Sequence, residues 1–150
     1  MAPLETRSMT KVDFDYVVRV IDKWWGGPTS ALAHPLFFYE LGALAQVVES
    51  DGVLVGFLLG FIAPGGRVGY VHLVGIDPTF RRRHVGSQLY GAFETACRAA
   101  GCAELKAITN LGDEGSVRFH ESQGWEVSTH EDYAGPGRAR HVFTKALPAT

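Results

Sequence analysis

The chain has 150 residues, 46% of them hydrophobic, and a net charge of −2. That length fits a single domain spanning residues 1–150, and the apolar content is enough to bury a core, which excludes a disordered chain. The near-neutral balance speaks against a protein devoted to nucleic acid or to an anionic membrane surface.

In chain order, the N-terminal stretch carries Glu5 and Arg7 and lacks an apolar run of export type, so a cytoplasmic location is expected. Phe14, Val17, Val18, Ile21 and Trp24 recur at helical spacing over residues 13–25. Thr10 with Asp13 forms a capping-box pattern, and Gly26-Gly27-Pro28 ends the helix. The aromatic-rich residues 35–44 predict a second short helix. Strands follow over 46–49 and 53–63, joined by the hairpin signal Ser50-Asp51-Gly52. The second strand is the longest apolar run, but Gly56 and Gly60 interrupt it and Pro64 ends it, well short of the roughly 20 residues a membrane span needs.

Residues 68–76 form the next strand, within which Gly75 marks a bulge or a close approach. Pro78 disfavours continuation beyond Asp77. Residues 86–100 are amphipathic through Leu89, Phe93, Ala96 and Ala100, with Gly101 as C-terminal cap. A strand at 104–109, a short helix at 114–123, a strand at 125–128, the turn Gly135-Pro136-Gly137 and a strand at 141–145 complete the series. This order predicts an α/β fold of α+β type: a mixed, mostly antiparallel sheet flanked by helices, with one parallel pair supplied by the 68–109 crossover. Cys97 and Cys102 have neither metal-like nor redox-like spacing and read as reduced thiols. The six histidines are dispersed, with no pattern of a metal site.

The segment Arg81-Arg82-Arg83-His84-Val85-Gly86 lies between a strand and a helix. The first N–H groups of that helix lack internal partners, and its dipole places partial positive charge there. Three arginines before such a terminus suit a phosphate or pyrophosphate. The alternative is a solvated basic loop.

This loop, with Val74-Gly75-Ile76-Asp77-Pro78 before it and Ser116-Val117-Arg118-Phe119-His120-Glu121-Ser122-Gln123-Gly124-Trp125 after it, resembles the GCN5-related N-acetyltransferases. The family's phosphate loop reads Gln/Arg-x-x-Gly-x-Gly/Ala, so His84 stands where glycine is usual. The later block is similar to Ser/Ala-x-x-Phe/Leu-Tyr-x-x-x-Gly-Phe, with His120 at the tyrosine position and Trp125 at the final aromatic. The resemblance extends over nearly the whole chain. It implies that the strands at 68–76 and 104–109 splay apart around acetyl-CoA as cosubstrate. It also implies an amine acceptor on a small molecule or protein, and the homodimers common in the family.

Acetyl transfer to an amine needs a neutral amine, a stabilised oxyanion and a protonated leaving thiol. By position in the motifs, the resemblance makes the Val74 amide the oxyanion donor and pairs Ile76 with the pantetheine arm. It gives the pyrophosphate to the amides of Arg82, Arg83, His84, Val85, Gly86 and Ser87, with the Arg81 and Arg83 side chains alongside. Ser116 and Phe119 belong to the coenzyme side, and Asp113 or Asn110 to contacts with the arm. Histidine at 84 adds bulk and is expected to require an ordinary φ/ψ.

His72 falls on the same strand face as Val74 and Ile76 if alternation holds, and imidazole suits a general base. The alternative for His72 is a structural cross-strand hydrogen bond. His120 is a candidate partner of the thiolate through an imidazole N–H, or else a helix-surface histidine. Among the aromatics of the acceptor segment, Trp24 and Phe37 fit the core. Trp25, Phe38 and Tyr39, with Glu40 or Asp22 nearby, then form an acceptor wall. A second reading is a non-catalytic acyl-CoA-binding sensor in which His84, Asp113 and His120 mark lost chemistry. A third, an RNA-binding module using the three arginines, lacks the aromatic–basic interleaving and positive charge of such modules.

Overall fold

The computed structural model describes residues 3–148. The chain runs β1 (Leu4–Ser8), α1 (Lys11–Trp25), α2 (Leu36–Tyr39), β2 (Gln46–Ser50), β3 (Val53–Ile62), β4 (Val68–Ile76), α3 (Val85–Ala99), β5 (Glu104–Asn110), α4 (Glu114–Ser122), β6 (Glu126–His130) and β7 (Arg140–Ala146). The strands form one sheet in the order β1-β2-β3-β4-β5-β7-β6, and only β4–β5 is parallel.

Local chemistry fixes the helix ends and turns. The reciprocal Thr10–Asp13 capping box starts α1, and Gly26 ends it in the left-handed region at φ 74°. Arg7 on β1 donates to Asp13 at 2.6 Å and to Glu49 on β2 at 3.1 Å, tying edge strand, helix cap and hairpin together. Asp51 and Gly52 turn the β2–β3 hairpin with φ of 53° and 79°, the two-residue geometry that matches strand twist.

Residues 35–44 do not form one helix. A 3-10 turn at Ser30–Leu32 precedes α2, which lasts four residues. A Cβ on Gly42 would lie 2.2 Å from the Phe38 carbonyl oxygen, so the chain folds back tightly there. Strand β1 has no counterpart in the sequence reading, because its five residues alternate too weakly to announce a strand.

Each sheet face carries its own core. Leu89, Phe93 and Cys97 of α3 bury against Val48, Val55, Leu58, Val71, Leu105 and Phe143. Phe14, Val17, Ile21 and Trp24 of α1 bury against Val47, Phe57, Leu59 and Leu73 on the other face. Cys97 and Cys102 are free and buried, and burial pushes the Cys97 thiol up to about 12, so it is not a reactive thiolate near neutral pH.

Strand β4 departs from simple alternation at one point. Leu59 pairs with Leu73 and Gly60 with Val71, which leaves His72 as an extra, bulged residue. Val71 packs with the α3-side core and Leu73 with the α1-side core, while Val74 and Ile76 return to the α3 side. The bulge therefore corrects the expectation that His72 shares a face with Val74 and Ile76. Gly75 is a close approach and not the bulge, since a Cβ there would lie 2.3 Å from the Phe57 ring.

Candidate active site

Parallel pairing between β4 and β5 covers only Val68–Val71 against Glu104–Ala107, although both strands continue beyond it. The strands diverge at the bulge and open a cleft of about 140 Å³ through the sheet. Trp25 and His72 line it, as do Val74, Tyr90, Thr109, Asp113, Ser116 and His120. The Asp77 N–H bonds to the Val55 carbonyl at 2.8 Å, toward β3. Ladder alternation then turns the N–H groups of Val74 and Ile76 the opposite way, into the gap that β5 has left.

The cleft continues into a cavity of about 710 Å³ lined by Trp25, Val74, Ile76, Arg81, Asp113, Gly115, Ser116 and Phe119. Ile76, Arg81 and Phe119 are shared with a third cavity of about 210 Å³ over the basic loop, where Arg82, His84, Val85, Gly86 and Ser87 also contribute. One trough thus runs from the loop to His72.

At the loop end, the 3-10 turn Pro78–Phe80 is held by Asp77, which accepts from the Thr79 N–H and hydroxyl at 3.0 and 2.9 Å. The six consecutive amides of Arg82, Arg83, His84, Val85, Gly86 and Ser87 have no intramolecular acceptor among the described residues. Arg82 and His84 both adopt left-handed φ, 65° and 64°. The expectation of an ordinary φ/ψ for His84 is overturned: the turn imposes the glycine-type conformation on a histidine, at a cost of roughly 1–2 kcal/mol. Gly86 lies against Ile76 and Phe119, where a Cβ would be 3.3 Å and 3.4 Å away. Arg81 reaches the trough, whereas the Arg83 guanidinium packs 4.7 Å from the Phe80 ring centre, outside the cavities.

His72 is half-buried, and its Nε2 lies 2.7 Å from the Leu32 carbonyl oxygen. A carbonyl only accepts, so Nε2 carries the proton and Nδ1 keeps a lone pair in the neutral ring. Phe37 stacks on the imidazole with ring centres 3.7 Å apart. Phe37, read from sequence as core, is therefore also the packing partner of a cleft residue. Burial lowers the His72 pKa below its ordinary value and outweighs the raising effect of the Leu32 bond.

His120 is 4% exposed and not a helix-surface residue. Its Nδ1 lies 2.8 Å from the Ser116 carbonyl oxygen, its Nε2 lies 2.8 Å from the Tyr90 hydroxyl, and its ring stacks on Phe143 at 3.9 Å. Burial lowers its pKa, against the raising effects of the Ser116 carbonyl and the Asp113 carboxylate. Tyr90 was not legible as a site residue, because an aromatic on the buried face of α3 reads as core. Nothing in the spacing announces a partner thirty positions on.

Asp113 lines the cleft and the large cavity, but its carboxylate caps α4, accepting from the Ser116 N–H at 3.0 Å and the Thr109 hydroxyl at 3.2 Å. Asn110 ends β5 and lines none of the three cavities. Of the expected acceptor wall only Trp25 reaches the trough. Phe38 stacks on Phe14 at 5.2 Å, Tyr39 is 60% exposed near Lys11, and Glu40 is exposed. Asp22 is committed to the amides of Thr29 and Ser30.

Residues 4–125 match the family model described as the acetyltransferase (GNAT) family. The sequence matches no curated protein. Among solved structures, Ard1 from Thermoplasma volcanium is 20% identical with a TM-score of 0.82, the match covering 97% of this chain and 98% of that one. The ribosomal-protein-S18-alanine N-acetyltransferase from Escherichia coli is 13% identical with a TM-score of 0.79, covering 99% and 96%. An aminoglycoside 6′-N-acetyltransferase complexed with coenzyme A is 15% identical with a TM-score of 0.75, covering 97% and 99%. At these identities the likeness is one of fold.

Proposed function

The chain belongs to the acetyltransferase (GNAT) family, and on that premise we propose that it transfers an acetyl group from acetyl-CoA to a primary amine of a small molecule or protein, by direct attack through a tetrahedral intermediate. The observation that carries this reading is the continuous trough from six unpaired amides to the opened β4–β5 gap. The amides suit a pyrophosphate, and the trough beyond suits a long, thin arm. Two buried thiols without a disulfide fit a cytoplasmic location.

In this reading the Val74 N–H meets the oxygen of the thioester carbonyl as negative charge develops on it. His72, neutral and with Nδ1 unprotonated, takes the proton that an ammonium acceptor must lose before its nitrogen can attack. Trp25 stands over both the cleft and the larger cavity and walls the reacting end. His120 lies on the leaving-group side.

The test is thiol release from acetyl-CoA across a panel of primary amines and N-terminal peptides, with the acetylated product identified by mass. Amine-dependent thiol release is the expected result. Coenzyme binding without turnover over the whole panel would replace the enzyme with an acyl-CoA sensor.

A further inference from the structure

The buried face of α3 is apolar except for Tyr90, whose hydroxyl lies 2.8 Å from His120 Nε2 with both side chains lining the cleft. The Ser116 carbonyl, which only accepts, fixes the proton of the neutral ring on Nδ1. His120 Nε2 is then an acceptor, and the Tyr90 O–H donates to it. Two consequences follow from this direction. The imidazole offers the cleft no proton of its own, and the phenol oxygen keeps lone pairs with which to accept one.

We infer that the Tyr90 hydroxyl and the His120 imidazole form a relay that carries a proton from the attacking nitrogen to the leaving sulfur, with Tyr90 as the group that touches the reacting atoms. The inference rests on the acetyltransferase reading. When the amine adds to the thioester carbon, the new C–N bond leaves a positively charged N–H, and nitrogen and sulfur are bound to the same carbon. One hydroxyl can therefore reach both. Tyr90 accepts the nitrogen's proton as its own passes to His120 Nε2. As the C–S bond breaks and its electron pair stays on sulfur, Nε2 returns a proton to Tyr90, which gives its other proton to sulfur. The products are amide and thiol, and both side chains end as they began.

The surroundings favour this route over a simple phenol acid. Burial pushes the Tyr90 pKa well above its ordinary value, so a phenolate is disfavoured, and the relay never forms one. Burial disfavours an imidazolium at His120, so the ring holds the second proton only in passing; the Ser116 carbonyl and the Asp113 carboxylate offset part of that cost, and stacking on Phe143 holds the ring in place.

The experiment compares full-chain wild type with Tyr90→Phe, His120→Gln and the double variant, using an amine that supports turnover. Glutamine still accepts the Tyr90 hydrogen bond but cannot take up the proton. Each single variant should lower kcat by about 10²-fold, the scale of a lost proton-transfer group, and leave the KM for acetyl-CoA unchanged. The double variant should fall no further than the worse single one, because residues that act as a unit are not additive. Retention of the acetyl-CoA-induced rise in melting temperature shows that the variants are folded and bind. Should Tyr90→Phe fail to fold, His120→Gln decides alone. Wild-type kcat in either single variant, a loss confined to KM, or multiplied losses in the double variant would overturn the relay while leaving the enzyme standing. No turnover in wild type would overturn both.

Discussion

At His72, one extra residue in a strand decides which way an imidazole faces. The bulge turns the ring toward Phe37 and the Leu32 carbonyl, commits Nε2 as donor and leaves Nδ1 as the basic atom. Burial lowers its pKa, so the neutral, proton-accepting form extends below the ordinary value of about 6.5. On the proposal that His72 is the base, which works only when deprotonated, kcat/KM should rise with pH through an acid limb centred below about 6.5 and be level by neutral pH. In His72→Gln that limb should vanish and the plateau should drop, while coenzyme binding survives. Because the acceptor's own ionisation can imitate a limb, the profile is repeated with an amine of different basicity. A limb that follows the amine and is identical in His72→Gln would make the histidine structural.

The elements themselves were largely legible: α1 with its capping box, the Asp51-Gly52 hairpin, β4 and the single parallel crossover all follow from periodicity and turn chemistry. What escaped shares one cause, that tertiary pairing is not written locally. Strand β1 is set by its pairing with β2, to which Arg7 adds bonds to Asp13 and Glu49. The bulge at His72 leaves no mark in a run that still alternates in burial. The Tyr90–His120 contact joins two helices through the core.

The loop before α3 combines both cases. Its arginines point to an anion-binding loop, which remains a proposal, whereas the left-handed φ of His84 contradicts the preference of its side chain and is imposed by the turn. Relief of that conformation in His84→Gly should stabilise the ligand-free protein by about 0.5–1 kcal/mol, after allowing for the greater freedom of glycine in the unfolded chain. Urea unfolding measures it, and a variant less stable than wild type would contradict the strained-turn account.

Over the whole molecule, the two cores hold β4 from both faces while β5 leaves it on the third side, so an opening through the sheet is compatible with a well-packed fold. The trough reaches that opening from the loop, with Ile76, Arg81 and Phe119 shared at one junction and Trp25, Val74, Asp113 and Ser116 at the other. An elongated anionic thioester is the ligand this arrangement suits, and the same surface serves either a catalyst or a sensor. The measurement that tests it most directly is the melting temperature with and without saturating acetyl-CoA, in wild type and in Gly86→Glu. A ligand bound only to the native state at about 100 times its Kd adds about 2.7 kcal/mol, which for a domain of this size raises the midpoint by about 5–10 °C. Gly86→Glu, which sets bulk and negative charge beside Ile76 and Phe119, should abolish the shift. An unchanged wild-type midpoint, or an equal rise in Gly86→Glu, would contradict the assignment of the loop and trough to the coenzyme.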